Sequence, residues 1–379
     1  MSSSDYGPKK PTSSASAAQS IGESLANSEN RLRHTEVRYL HSSNLADLLT
    51  QLRVTLVIST YQAGKLVVVG VHEGKLAFSF HAVERVMGIA VRADRIAVGS
   101  QSKIYFLDRA AGLGPQIEPH GRHDACYLTR LAHFTGPIHI HEMAWGHDEL
   151  WICNTMFSCL STLDGHASFV PRWKPRFISQ LSDEDRCHMN SMALEHGRPR
   201  YVTVLAETDT AAGWRENKAT SGCILDVPSG ETVARGLSMP HSVRVHDGRV
   251  LVLNSGRGQI SVVDPARGSA EPIALLPGYT RGLAFRGPLA FVGQSRIRET
   301  NIFGGLPIAE HADKLECGVS VVDLRSGQRI AHLTFASGVE EIFDVQVLPE
   351  LRCPAIAGPD PETDGQKHIW LSAQPRWDI

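Results

Sequence analysis

The stretch "EDRCHMNSMALEHGRPRYVTVLAE", Glu184 to Glu207, decides the fold. From Met192 onward it reads as β structure: an apolar run, a polar turn, then "YVTVLA". Its unit "SMAL" at Ser191 has five relatives: "GIAV" at Gly88, "EMAW" at Glu142, "SVRV" at Ser242, "GLAF" at Gly282 and "DVQV" at Asp344. Each begins with a small or acidic residue, followed by an apolar one, a third that is mostly Ala and another apolar one, at intervals of 54, 49, 51, 40 and 62 residues. Five of the six lead into a second strand, a polar turn and a third strand. A unit of about 40 to 50 residues holding some four strands is the signature of a β-propeller blade.

Six units predict an all-β fold, a six-bladed β-propeller, with a seventh blade compatible with the 62-residue interval. "VTLVISTYQAGKLVVVGVHEGKLAFSF", Val54 to Phe80, holds three more strands. Pairing them with "DVQV" closes the ring with amino-terminal strands and leaves no open sheet edge. "HIWLSA", His368 to Ala373, reads as one strand more. A pair of β-sandwiches would explain neither the common unit nor these leftovers. "SNLADLLTQLR", Ser43 to Arg53, is the best candidate for a helix.

Residues 1–33 are rich in Ser, Ala, Lys and Pro, without the apolar core of a signal peptide, and read as a disordered tail. Residues 34–379 read as a single propeller domain. Hydrophobic residues make up 42% and charged ones 21%, as a globular chain requires. The net charge of −2 gives no pull toward nucleic acid or a membrane surface, and no apolar run approaches the ~20 residues of a membrane span. Seven scattered cysteines without a C-x-x-C pair suit free thiols in a reducing compartment, so a cytoplasmic location is expected.

In a blade, the lead-in to the innermost strand and the turn between second and third strands lie at the same end. Sorted by that rule, nearly every unusual polar cluster falls on one rim. The residue before each unit is Met87, His141, Asn190, His241, Arg281 or Phe343; three before it stand Arg85, His139, His188, Met239, Tyr279 and Glu341. Thus His139, His141, His188 and His241 converge from three successive blades. Neutral imidazoles meeting in this way suit a transition metal ion such as Zn, Fe or Cu, with Glu142 or Asp344 as acid or base. The structural alternative has the same histidines bonding backbone and plugging the channel.

The rim is also basic, through Lys65, Arg215, Arg257, Arg281, Arg296 and Arg298. Guanidinium forks suit carboxylate or phosphate; salt bridges to acids such as Asp209 are the competing use. Asp209 and Asn190 complete the polar lining expected to touch a substrate, and Tyr61 and Trp214 could form a stacking wall. Cys187 neighbours His188, but adjacent residues on a strand point to opposite faces, which argues against a Cys–His pair.

Several long motifs carry a family resemblance: "STYQAGKL" (Ser59–Leu66), "NTMFSCLSTL" (Asn154–Leu163), "EDRCHMNSMA" (Glu184–Ala193), "GLSMPHSVR" (Gly236–Arg244) and "PGYTRGLAF" (Pro277–Phe285). The chain resembles an uncharacterised bacterial family of conserved hypothetical proteins with a domain of unknown function. The resemblance implies one propeller domain and brings no settled activity. The residues themselves lead to the expectation of a metal-dependent propeller enzyme, of oxidoreductase or lyase type, acting on an anionic small molecule or peptide. The alternative is a non-catalytic propeller that binds an acidic ligand or a partner's peptide.

Overall fold

Strand after strand in this chain is apolar on both faces. Val54–Ser59 is buried at all six positions and Leu289–Ser295 at all seven. A sheet of this kind needs a packed neighbour on each side. The structure, a computed structural model describing residues 36–297 and 303–372, meets that need with six sheets set as blades around a channel.

Blade 1 joins Val54–Ser59, Lys65–His72 and Lys75–Ala82 to the inner strand Asp344–Pro349. Blade 2 runs outward from Ile89–Val91 through Arg95–Gly99 and Lys103–Arg109 to Cys126–Phe134. Blades 3, 4 and 5 begin with the inner strands Ile140–Trp145, Ser191–Glu195 and Pro240–His246. Blade 6 runs from Tyr279–Arg286 to Gln328–Ser337. Each inner strand lies beside the next around the ring, and Asp344–Pro349 meets Ile89–Val91 to close it. The amino-terminal closure expected from sequence is therefore present, with Val54–Ser59 antiparallel to Asp344–Pro349 in unbroken register. Six blades are formed, not seven; the 62-residue interval is taken up by a 3₁₀ segment, Pro307–Lys314, between the strands of blade 6.

Two strands add a second fastening. Arg38–His41 pairs with the edge of blade 6, and Ala355–Ala357 runs parallel to Cys126–Leu128 on blade 2. The carboxyl-terminal strand is thus at Ala355–Ala357. Residues 368–372 of the expected strand are irregular, and Ala373 lies outside the described residues. The expected helix forms at Leu45–Leu52. The described residues from Arg38 onward make one compact unit; the tail expected at 1–33 lies outside the described residues. Among those described, no helix is long and apolar enough to cross a membrane.

The repeat's leading residue has a clear physical task. Side-chain oxygens at this position accept backbone N–H groups of the next blade's inner strand: Asp344 Oδ2 from Ile89 (2.8 Å), Glu142 Oε1 from Met192 (2.9 Å), Ser191 Oγ from Val243 (3.0 Å) and Ser242 Oγ from Gly282 (3.0 Å). At the other two junctions the residue is glycine and the backbones touch directly. The Gly88 amide donates to Ile140 O at 3.0 Å, and a Cβ on Gly282 would overlap the amide of Val345. Gly282 also has φ +83°, where other residues are strained. Gly282→Ala is therefore expected to cost about 2 kcal/mol or more, read as a lower urea midpoint.

Candidate functional site

At the end of the channel where the lead-ins gather, the chain bends sharply. Four equivalent residues, Arg85, His139, His188 and Met239, take left-handed backbone at φ 46°, 53°, 50° and 45°. Each such bend in a bulky residue costs on the order of 1 kcal/mol or more, so surrounding contacts must hold it. Three of the four bends turn their side chains into a cavity of about 310 Å³. His139, His141, His188 and His241 all line this mouth, with Arg281, Arg296 and Arg215 and a wall of Tyr61, Trp214, Tyr279, Phe303 and Phe343.

The "EDRCHMN" segment divides its labour. Arg186 staples the loop, with Nε 2.8 Å from Glu184 and Nη1 2.7 Å from Asp209. Cys187 is fully buried in the apolar core between blades 3 and 4. Asp185 and His188 turn to the cavity, with His188 Nδ1 2.8 Å from Asp185 Oδ2. Trp214 Nε1 donates to the same carboxylate at 3.0 Å, and its ring lies 4.3 Å from that of His188. His188 is thereby oriented from both sides.

The other histidines are held through the same nitrogen. Thr155 gives its hydroxyl proton to Met189 O (2.6 Å), so it must accept from His141 Nδ1 at 2.8 Å. His241 Nδ1 donates to Met239 O at 2.9 Å. In all three rings the network places the proton on Nδ1 and leaves the lone pair on Nε2. Burial pushes His141 and His241 well below the usual histidine range, and lowers His139 less strongly. The rings of His141 and His188 meet edge to face at 4.7 Å.

Arg281 sits on the cavity floor. Its guanidinium carbon lies 3.3 Å from the centre of the Phe343 ring, and Nη1 is 3.8 Å from Glu341 Oε1. Nη2 is buried and has no hydrogen-bond partner among the described residues. The side chain is only 12% exposed, and desolvation lowers its pKa.

Several expected site residues lie elsewhere. Glu142 and Asp344 are in the channel wall and do not line the mouth. Glu142 Oε1 carries both the Met192 amide and an ion pair with Arg244 Nη1 at 2.7 Å, so this oxygen is committed to joining blades. Asp344 is likewise occupied by Ile89 and Val345 amides. Asn190 is buried against Thr203, which donates to it at 2.6 Å. Asp209 serves the Arg186 staple, Lys65 lies 3.8 Å from Asp364, and Arg257 is an exposed residue of a 3₁₀ turn. Arg298 lies outside the described residues. Among those described, no group of three or more His, Cys, Asp or Glu is close enough, as placed, to hold a metal ion. Asp185 was missed as a site residue; its signal was the three-residue spacing to His188 within one lead-in.

Burial, and then the charge of Glu142, push the Asp344 carboxyl up to about 7. An unfolded Asp titrates near 3.9, so folding takes up a proton between these values. Asp344's contribution to stability is whole below the lower value and lost as pH rises through about 7. The depressed histidines act oppositely: their contribution is present above about 6.5 and lost as pH falls. Asp344→Asn should therefore gain stability relative to wild type as pH rises from 5 to 8, measured by urea midpoints across that range. A constant difference would show that this carboxyl does not titrate with folding.

The chain belongs to the family described as a domain of unknown function (DUF4915), whose profile matches residues 43–357. Similar solved structures include a chain of a nidogen/laminin complex, at 10% identity and a TM-score of 0.50, covering 78% of this chain and 99% of that one. Another is a protein of unknown function from Bacteroides caccae, at 9% identity and a TM-score of 0.50, covering 78% and 98%. At such identities the likeness concerns the fold alone. No curated protein matches the chain in sequence.

Proposed function

We propose, for this member of a family without an assigned activity, that the channel mouth is an enzyme site for a small anionic molecule. Arg281 anchors the anion, and His188, oriented by Asp185, takes a proton from the bound molecule. The observation that carries this reading is the pairing of a nearly buried arginine, one of whose nitrogens lacks a partner, with a carboxylate-held imidazole in one cavity. Burying a guanidinium without a full set of acceptors is costly; an incoming carboxylate or phosphate supplies the missing acceptor in fork geometry. The tautomer argument makes His188 Nε2 a base and Asp185 the group that stabilises the imidazolium formed. Aromatic rings around the mouth suit the apolar body of such a molecule. Proton abstraction beside an anchored carboxylate, the opening step of many lyase reactions, is the chemistry these groups perform by themselves.

Citrate and inorganic phosphate provide a first probe, read by calorimetry and by thermal shift. Arg281→Ala should weaken binding of whichever anion the wild type takes by about 10- to 100-fold, the worth of a hydrogen bond to a charged group. Arg281→Lys should recover only part, because an ammonium cannot fork. Equal affinity in wild type and both variants would remove Arg281 as the anchor.

A second reading is favoured by one specific observation. His141, His188 and His241 each spend Nδ1 on a fixed partner, the arrangement metal-ligating histidines require, and the lone pairs left on Nε2 belong to residues of one cavity. Brought within reach of one another, they would offer three neutral nitrogens to Zn, Fe or Cu, and the ion would supply Lewis acidity or redox chemistry beside the anchored anion. Elemental analysis of protein purified without a metal-affinity tag should then find near one equivalent, lost in folded His188→Ala and His241→Ala. Wild type that stays metal-free after reconstitution would remove this reading and leave the anion site standing.

A further inference from the structure

A second cavity, of about 200 Å³, opens beside blade 1 and shares no lining residue with the channel mouth. Ser79 stands in its wall, together with Gly70, Arg122, His123 and Cys353. Ser79 Oγ lies 2.9 Å from His81 Nε2. The two residues are two apart on the strand Lys75–Ala82 and share a face. On the far side of the ring, His81 Nδ1 lies 3.4 Å from Asp364 Oδ2.

Asp364 is brought there by the carboxyl-terminal segment. Its side chain is completely buried, and Oδ1 accepts the Ala82 amide at 2.6 Å. Among the described residues neither His81 Nδ1 nor Asp364 Oδ2 has a hydrogen-bond partner, and the two stand within ion-pair range of each other. Gly358 permits this approach: a Cβ there would stand 3.1 Å from both Asp364 Oδ2 and His81 Cβ. His81 is buried, whereas Ser79 is half-buried at the cavity.

We propose that Ser79, His81 and Asp364 form a second reactive site, a serine nucleophile with its base and orienting carboxylate, acting on esters of short acyl chains. A proton on Nδ1 facing Asp364 leaves the Nε2 lone pair to accept the Ser79 hydroxyl proton as Oγ bonds to the acyl carbon. His81 then passes that proton to the departing alcohol as its C–O bond breaks. Water, deprotonated by the same nitrogen, attacks the acyl carbon and releases the free acid with Ser79 restored. Arg122, whose Nε has no partner among the described residues, lines the same cavity and offers positive charge to the tetrahedral oxyanion. Base and carboxylate stand within ion-pair range without a hydrogen bond between them as placed; catalytic contacts of this kind tighten when substrate closes a site. The small volume sets the acyl length, since drug-sized ligands fill about 300 Å³ or more.

The same contacts could serve only to fasten the carboxyl-terminal segment, and that role needs His81 and Asp364 but no reactive Ser79. The full chain is treated with a fluorophosphonate probe and read by intact mass and peptide mapping, with p-nitrophenyl acetate hydrolysis in parallel. One adduct on Ser79 is expected. Ser79→Ala should lose adduct and hydrolysis at an unchanged melting temperature, and Asp364→Asn should slow both at least about a hundredfold. No Ser79 adduct on folded wild type, or equal labelling in folded Asp364→Asn, overturns the proposal. Should Asp364→Asn fail to fold, the presence or absence of the Ser79 adduct decides.

Discussion

One backbone contact, repeated around the channel, carries the rest of the structure: the leading residue of each inner strand meets the main chain of its neighbour. Where an oxygen can reach, it accepts an amide, as Glu142 does from Met192 and Ser191 does from Val243. Where the strands must touch, only glycine fits, as at Gly282. An amide left unbonded in the channel would cost on the order of 1–3 kcal/mol, so six junctions in series leave little freedom in the choice of residue. Arg244 strengthens the same belt, bonding Glu142, Val243 and Leu283 from one guanidinium.

That belt explains why two carboxyls lie in the channel without lining its mouth. Glu142 and Asp344 have the residue type of catalytic acids, and burial raises both, yet each already spends an oxygen on a neighbouring blade's amide. Perturbed titration marks functional groups and structural ion pairs alike; here geometry separates the two. The mouth lies above the belt, where the left-handed bends carry His139, His188 and Met239 to the cavity.

Charge at the mouth is balanced unusually. His141 and His241 are disfavoured as cations by burial and by the neighbouring Arg281. Arg281 faces a loose contact with Glu341 and the face of Phe343. Asp185 is bonded to His188 and Trp214. The cavity thus presents a buried guanidinium beside imidazoles that are fixed through Nδ1.

Much of the architecture was legible in the sequence because it repeats: a local pattern copied six times reveals itself even when each copy is weak. The short units, the closing role of Val54–Ser59 and the gathering of four histidines at one rim all followed from spacing. What spacing could not show was which polar group a folded neighbour had already claimed. Asp209 looks like a site residue until it is found bonded to Arg186, and Asp185 looks incidental until His188 and Trp214 close on it. Asp364 lies 283 positions beyond His81 in the chain, so no local reading could pair them. The sequence by itself determined the propeller architecture and the rim on which the histidines gather, because both are periodic properties of strands. The tertiary structure alone decided which side chains remain free to act, because a polar group's fate depends on partners that only folding brings within hydrogen-bond reach.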